Sequence, residues 1–120
     1  MKPHIGGTHF GSISIEGEEY DHDVFICLDG VVKKRKKKLS KEVFGTSHIL
    51  SLSEAEYIYE EGVERLIFGT GQSGKAKLSD EAKNFFHRKG CRVDAAPTPQ
   101  AIAAWNKATD AVIGLFHITC

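Results

Sequence analysis

Apolar and polar residues alternate over Ser12-Ile13-Ser14-Ile15-Glu16, the period of a strand with one buried face. Gly17 marks a turn, and a second strand is predicted from Tyr20 to Leu28. Val24, Ile26 and Leu28 fall on one of its faces, Phe25 and Cys27 on the other. Asp29-Gly30 predicts a type I′ hairpin, whose two central residues both need positive φ. Val31-Val32 opens the returning strand.

From Ser53 the period becomes helical. Ser53 and Glu56 have the spacing of a capping box, and Leu52, Ala55, Ile58 and Tyr59 form the apolar stripe of a helix that ends at Gly62. Residues 65–68 read as a short buried strand. A second helix is capped by Ser79, buries Leu78, Ala82, Phe85 and Phe86, and ends at Gly90. After a strand at 91–93, a third helix opens with Thr98 as cap and Pro99 at its first position, where a missing N–H costs nothing. Its apolar face carries Ala101, Ile102, Trp105 and Ala108. Residues 111–116 are apolar on both faces, as a fully buried strand requires. Strands alternating with helices point to an α/β layer joined to an N-terminal antiparallel β unit, with no linker between them.

Composition narrows the function classes. The 120 residues are 41% hydrophobic and 27% charged, and 16 basic side chains balance 16 acidic ones. No global field therefore draws the chain to nucleic acid or membrane. The longest apolar run, Ala111 to Phe116, is far shorter than a membrane span. The opening Met1-Lys2-Pro3-His4 has no apolar core of a secretory signal, so a cytoplasmic location is expected. Cys27, Cys91 and Cys120 form no C-x-x-C pair, which leaves out a zinc knuckle or a dithiol redox motif. Cys27 and Cys91 read as small buried hydrophobes on strands.

Three segments carry candidate chemistry. Gly69-Thr70-Gly71-Gln72-Ser73-Gly74-Lys75-Ala76 follows a strand and matches G-x-G-x-x-G, with Asp94 twenty residues beyond Gly74. A dinucleotide site needs the helix to start within the glycines, but the next cap, Ser79, comes several residues late. A phosphate loop needs a hydroxyl after its lysine, and Ala76 has none. What remains is a small-anion cradle of glycine amides with Lys75 and Lys77. Parallel strands ending near Phe68 and Val93 would put the following loops on one edge, with Thr70, Gly71, Gly74, Thr98 and Asn106 lining a ligand cleft and Lys75 at its mouth. The six basic residues Lys33 to Lys38 read first as a solvated edge strand protected by charge. Without interleaved aromatics they are a weak nucleic-acid patch. His48, His117 and Cys120 form a candidate polar cluster, in which a thiol–imidazole pair is one arrangement. His4, His9 and His22 meet no metal spacing, and no metal or cofactor is expected.

The same residues carry a family resemblance. Phe10 to Ile13 (F-G-S-I), 45–48 (G-T-S-H), 66–71 (L-I-F-G-T-G), the helix start P-T-P-Q-A at 97–101, W-N at 105–106 and the closing F-H-I-T-C resemble the Mth-type family. These small α/β domains were first described from methanogen hypothetical proteins. The family includes an adipogenesis-associated protein and a mitochondrial complex I assembly factor. The resemblance spans nearly the whole chain and implies a single three-layer domain over residues 1–120 with a mixed sheet. It implies no established catalytic mechanism, and its mitochondrial members are non-catalytic assembly factors. No targeting peptide is recognisable in the opening residues, so a mitochondrial role is not expected to carry over. Vertebrate members have an arginine at the position of Thr70 and lack the lysine run. The leading expectation is a non-catalytic protein-binding or assembly module with an unidentified protein partner. The alternative is a domain that binds a small anionic ligand at 69–75, with enzymatic activity left open. Nucleic-acid binding through 33–38 ranks third.

Overall fold

Three short strands, β1 (Ile5–His9), β2 (Ser12–Ile15) and β3 (Glu18–Tyr20), form an antiparallel sheet in that order in the computed structural model. The structure describes residues 2–120; Met1, where the opening segment begins, lies outside them. Ile13 and Ile15 face inward, as their alternation predicts.

The strand expected over 20–28 is two strands in two sheets. Tyr20 ends β3, and β4 (Val24–Ile26) begins after Asp21-His22-Asp23. The break has a cause: Asp23 is buried, and its carboxylate accepts the Ile118 amide at 3.0 Å. The hairpin from β4 to β5 (Val32–Lys34) also differs from expectation. The Gly30 amide donates to the Cys27 carbonyl and the Cys27 amide to the Val31 carbonyl, and within 28–30 only Gly30 has positive φ, 89°. That is a type I turn followed by a left-handed glycine, which spares Asp29 the conformation a type I′ turn would impose.

The remaining elements are α1 (Lys38–Phe44), β6 (Ile49–Leu50), α2 (Leu52–Ile58), β7 (Arg65–Thr70), β8 (Lys77–Leu78), α3 (Asp80–Arg88), β9 (Arg92–Ala96), α4 (Thr98–Lys107) and β10 (Val112–His117). Five strands form a mixed sheet of order β5-β4-β10-β7-β9. β10 pairs antiparallel with β4 and parallel with β7, and β7 pairs parallel with β9. All six residues of β10 are buried, as a central strand covered on both faces requires.

The side chains of β10 alternate between two cores. Ile113 and Leu115 join Leu66, Phe68, Phe86 and the apolar faces of α2 and α3. Val112 and Phe116 join Trp105 of α4 and Ile5, Ile13 and Ile15 of the small sheet. The five-stranded sheet is therefore the middle of three layers. Gly114 leaves the space that Trp105 fills, and Trp105 meets Phe116 edge to face at 5.8 Å.

Helix starts follow local chemistry, with two differences from the sequence reading. α3 is capped by Ser79, whose hydroxyl accepts the Ala82 amide. α2 starts earlier than expected: its cap is Ser51, which accepts the Glu54 amide at 3.1 Å, while Ser53 and Glu56 are exposed. α4 has Pro97 at its cap position and no side-chain cap, because the Thr98 hydroxyl is engaged elsewhere.

Candidate functional site

The ends of β4, β5 and β10 and the first turn of α2 converge on one buried polar network. Asp23 precedes β4, Arg35 follows β5, Glu54 lies on α2 and His117 ends β10. Arg35 sits inside the basic run yet is only 4% exposed. Its Nε and Nη2 meet the two oxygens of Glu54 at 2.6 and 3.0 Å, its Nη1 meets Asp23 at 3.0 Å, and Nη2 also donates to the Ser47 carbonyl. A guanidinium suits this role because its planar fork serves several acceptors at once.

The Glu54 carboxylate also accepts the Ser40 hydroxyl at 2.5 Å, and Ser40 Oγ in turn accepts the Ser51 amide at 3.0 Å. In a simple capping box the glutamate would reach that amide itself. Here Ser40 of α1 stands between them, which releases Glu54 to pair with Arg35.

Asp23 is the hub. It meets His117 Nδ1 at 2.7 Å, accepts the Ile118 amide, and has Lys37 Nζ at 3.8 Å. Burial alone would raise its pKa, but the hydrogen bond and charge of His117, the Ile118 amide and the Arg35 charge override it and hold the carboxyl down at about 2. No buried side-chain nitrogen or oxygen among the described residues lacks a partner.

The candidate polar cluster meets at this network's edge. His48 and His117 pack edge to face with ring centroids 5.2 Å apart, and His48 Nε2 lies 3.7 Å from Cys120 Sγ. His117 Nε2 is 3.1 Å from the Thr119 hydroxyl. His117 is buried, whereas His48 and Cys120 are partly exposed.

The glycine loop is built differently from the cleft expected there. The Gly71 amide donates to Thr98 Oγ1, Gln72 to the Thr119 carbonyl, Gly74 to the Gly71 carbonyl, Lys75 to the Cys120 carbonyl and Ala76 to the Thr70 carbonyl. Gly71 has φ +106°, and a Cβ there would lie 2.4 Å from the Cys120 carbonyl carbon. The segment after β10 thus packs directly against Gly71. The Thr98 hydroxyl bridges that loop to the His117 carbonyl at 2.5 Å.

Asn106 belongs elsewhere. It lies eight residues beyond Thr98 on α4, about 12 Å along the helix, and its amide pairs with both backbone groups of Ile5. Of the residues expected to line a cleft, Thr70, Gly71, Gly74, Lys75 and Thr98 come together at this loop, where five amides are engaged within the protein, while Asn106 fastens β1 to α4.

Asp23 and Arg35 also border an open cleft of about 520 Å³. Its other lining residues are Asp21 and His22 before β4 and Lys34, Lys36, Lys37 and Lys38 around the end of β5. β5 is an edge strand, as the basic run predicts, but the run bends inward at Arg35 and wraps a concavity. Periodicity and spacing do not single out Asp23, Arg35 and Glu54. The one signal in the sequence is an arginine among lysines, since only the fork can serve buried carboxylates.

No helix among the described residues is long and apolar enough to cross a membrane. The family model described as "Protein of unknown function (DUF498/DUF598)" matches residues 5–114. Among solved structures, the conserved hypothetical protein PH1505 from Pyrococcus horikoshii OT3 is 33% identical with a TM-score of 0.91, and the match covers 100% of both chains. The protein MT938 is 30% identical with a TM-score of 0.85, over 99% of this chain and 100% of that one. A Mth938-like domain protein from Bordetella pertussis shares the fold at 16% identity and a TM-score of 0.64, over 96% of this chain and 85% of its own. With the match over residues 5–114 and a full-length likeness at 33% identity, the chain belongs to the DUF498/DUF598 family and has the Mth938-like fold.

Proposed function

We propose that the chain is a cytoplasmic protein-binding module that receives an acidic segment of a partner in the lysine-rimmed cleft. The observation that carries this reading is the placement of charge. On a chain of zero formal net charge, four lysines gather around one concavity of about 520 Å³. Arg35 is already paired with Asp23 and Glu54, so the four lysines, set against the one exposed carboxylate of Asp21, dominate the potential that an incoming group meets. Lys36 is held over the Tyr57 ring at 4.8 Å, which limits the freedom lost on binding.

A carboxylate-bearing peptide suits the cleft better than a nucleic acid strand. Among the described residues that line it His22 is the one aromatic group, whereas single-strand binders stack bases on a series of rings. Anion binding at the glycine loop has less support, since the amides that would serve it are engaged.

The test is fluorescence anisotropy with a short glutamate-rich peptide against wild type and the triple variant Lys34→Gln, Lys36→Gln, Lys38→Gln. Lys37 stays, because it lies near Asp23. Removing three exposed charge contacts is expected to weaken binding about tenfold and to flatten its salt dependence. Equal affinity in the two proteins would sink the proposal. Tighter binding of an oligonucleotide than of the peptide would move the reading to nucleic acid.

A further inference from the structure

The partly exposed pair of Cys120 and His48 lies outside the lysine cleft's lining and has a chemistry of its own. We propose that Cys120, with His48 as its proton acceptor, is a thiol–disulfide exchange site for small disulfides. The proposal is independent of the acidic-partner reading. Cys120 Sγ and His48 Nε2 stand 3.7 Å apart, within contact for a thiol donating to an imidazole. The His48 ring packs edge-on against His117, at 5.2 Å and an interplanar angle of 75°. His117 is held at both nitrogens, by Asp23 and by Thr119. The sulfur is positioned too, because the Cys120 carbonyl accepts the Lys75 amide and the Thr119 carbonyl accepts the Gln72 amide. The base thus touches both the nucleophile and the ring that supports it.

The surroundings favour exchange over acyl transfer. An acyl-transfer site needs free donors aimed at a developing oxyanion, and the neighbouring amides of Gly71, Gln72 and Lys75 are already engaged. Disulfide exchange keeps its charge on sulfur, so it needs only a thiolate and access. The other two thiols are unsuited. Cys27 and Cys91 are buried, and burial raises the first and pushes the second up to about 11.

In the exchange, His48 Nε2 takes the thiol proton, and Sγ attacks one sulfur of a disulfide R–S–S–R. The Sγ–S bond forms as the S–S bond breaks, and the departing RS⁻ takes the proton from His48. Cys120 is oxidised from thiol to mixed disulfide, and the departing sulfur is reduced to RSH.

The experiment follows the reaction of the folded protein with 5,5′-dithiobis(2-nitrobenzoic acid), timing the release of its coloured thiolate. One equivalent is expected in a fast phase that Cys120→Ser removes and His48→Gln slows about tenfold. Oxidised glutathione as a second probe should leave one adduct, located on Cys120 by mass spectrometry. A fast phase that survives Cys120→Ser, or equal rates in wild type and His48→Gln, overturns the proposal. If His48→Gln does not fold, the wild-type rate is set against the same chain unfolded in guanidinium, where no imidazole is fixed beside the sulfur. A folded Cys120 no faster than the unfolded thiols also overturns it.

Discussion

At Gly114, on the central strand, a Cβ would lie 2.6 Å from Phe116 Cε2 and 2.9 Å from Trp105 Cζ3. Both rings are fully buried, so neither can swing away from an added methyl. Forcing extra volume into a close-packed core costs about 1–3 kcal/mol, and Gly114→Ala should lose that much in urea unfolding. Gly7 is the control. A Cβ there meets nothing within 4 Å and its φ is not positive, so Gly7→Ala should stay within about 0.5 kcal/mol of wild type. Equal midpoints for the two variants would mean that the Trp105 contact does not define the core. The sequence places Trp105 on an apolar helix face, but the need for glycine opposite it exists only once α4 lies across β10. Arg35 is a similar case. Its place in the basic run suggests solvent, and its burial depends on Asp23 and Glu54, which lie twelve and nineteen residues away.

Two overlapping Ser-x-x-Glu patterns compete for the start of α2, and local chemistry cannot separate them. Ser51 with Glu54 and Ser53 with Glu56 have the same spacing. Tertiary structure decides, because α1 brings Ser40 to the Ser51 amide and Arg35 reaches Glu54. Ser51→Ala should therefore cost about 1–2 kcal/mol, losing a cap and leaving the Leu39 carbonyl without its hydroxyl donor. Ser53→Ala should stay within about 0.5 kcal/mol. Guanidinium unfolding of both variants checks this, and the opposite ranking would return the cap to Ser53. Elements with strong periodicity, such as α3, α4 and β10, are legible from the sequence because their apolar faces alone define them. α1 is not, because Lys38-Leu39-Ser40-Lys41-Glu42-Val43-Phe44 has little apolar stripe and is fixed by the buried Ser40. The two-residue strands β6 and β8 are likewise fixed by pairing with each other. His48, His117 and Cys120 stand out in the sequence by residue type, but their meeting depends on how the chain after β10 crosses the glycine loop.

Across the whole molecule, the Asp23 network ties β4, β5, α1, α2 and β10 together, so its titration should register in global stability. Asp23 is held down at about 2 in the folded state, against about 3.9 for an unfolded aspartate. A carboxyl whose folded value is depressed stabilises the protein fully above its unfolded value. That contribution fades as pH falls toward the folded value. The window therefore runs from about pH 4 down to about pH 2, with a loss on the order of 2 kcal/mol from this one group. Asp110, lowered by its hydrogen bonds with Arg65, adds a loss of the same sign. Urea unfolding midpoints should accordingly hold down to about pH 4 as far as these two groups are concerned and fall below it. The carboxyl carbon resonance of Asp23 separates the two contributions, because it reports one site. It should stay at its ionised position at pH 3, where an unconstrained aspartate is mostly protonated. An Asp23 resonance that titrates near pH 4 would show that the contacts of Arg35, His117 and the Ile118 amide do not hold the carboxylate, and the five-element tie would lose its hub.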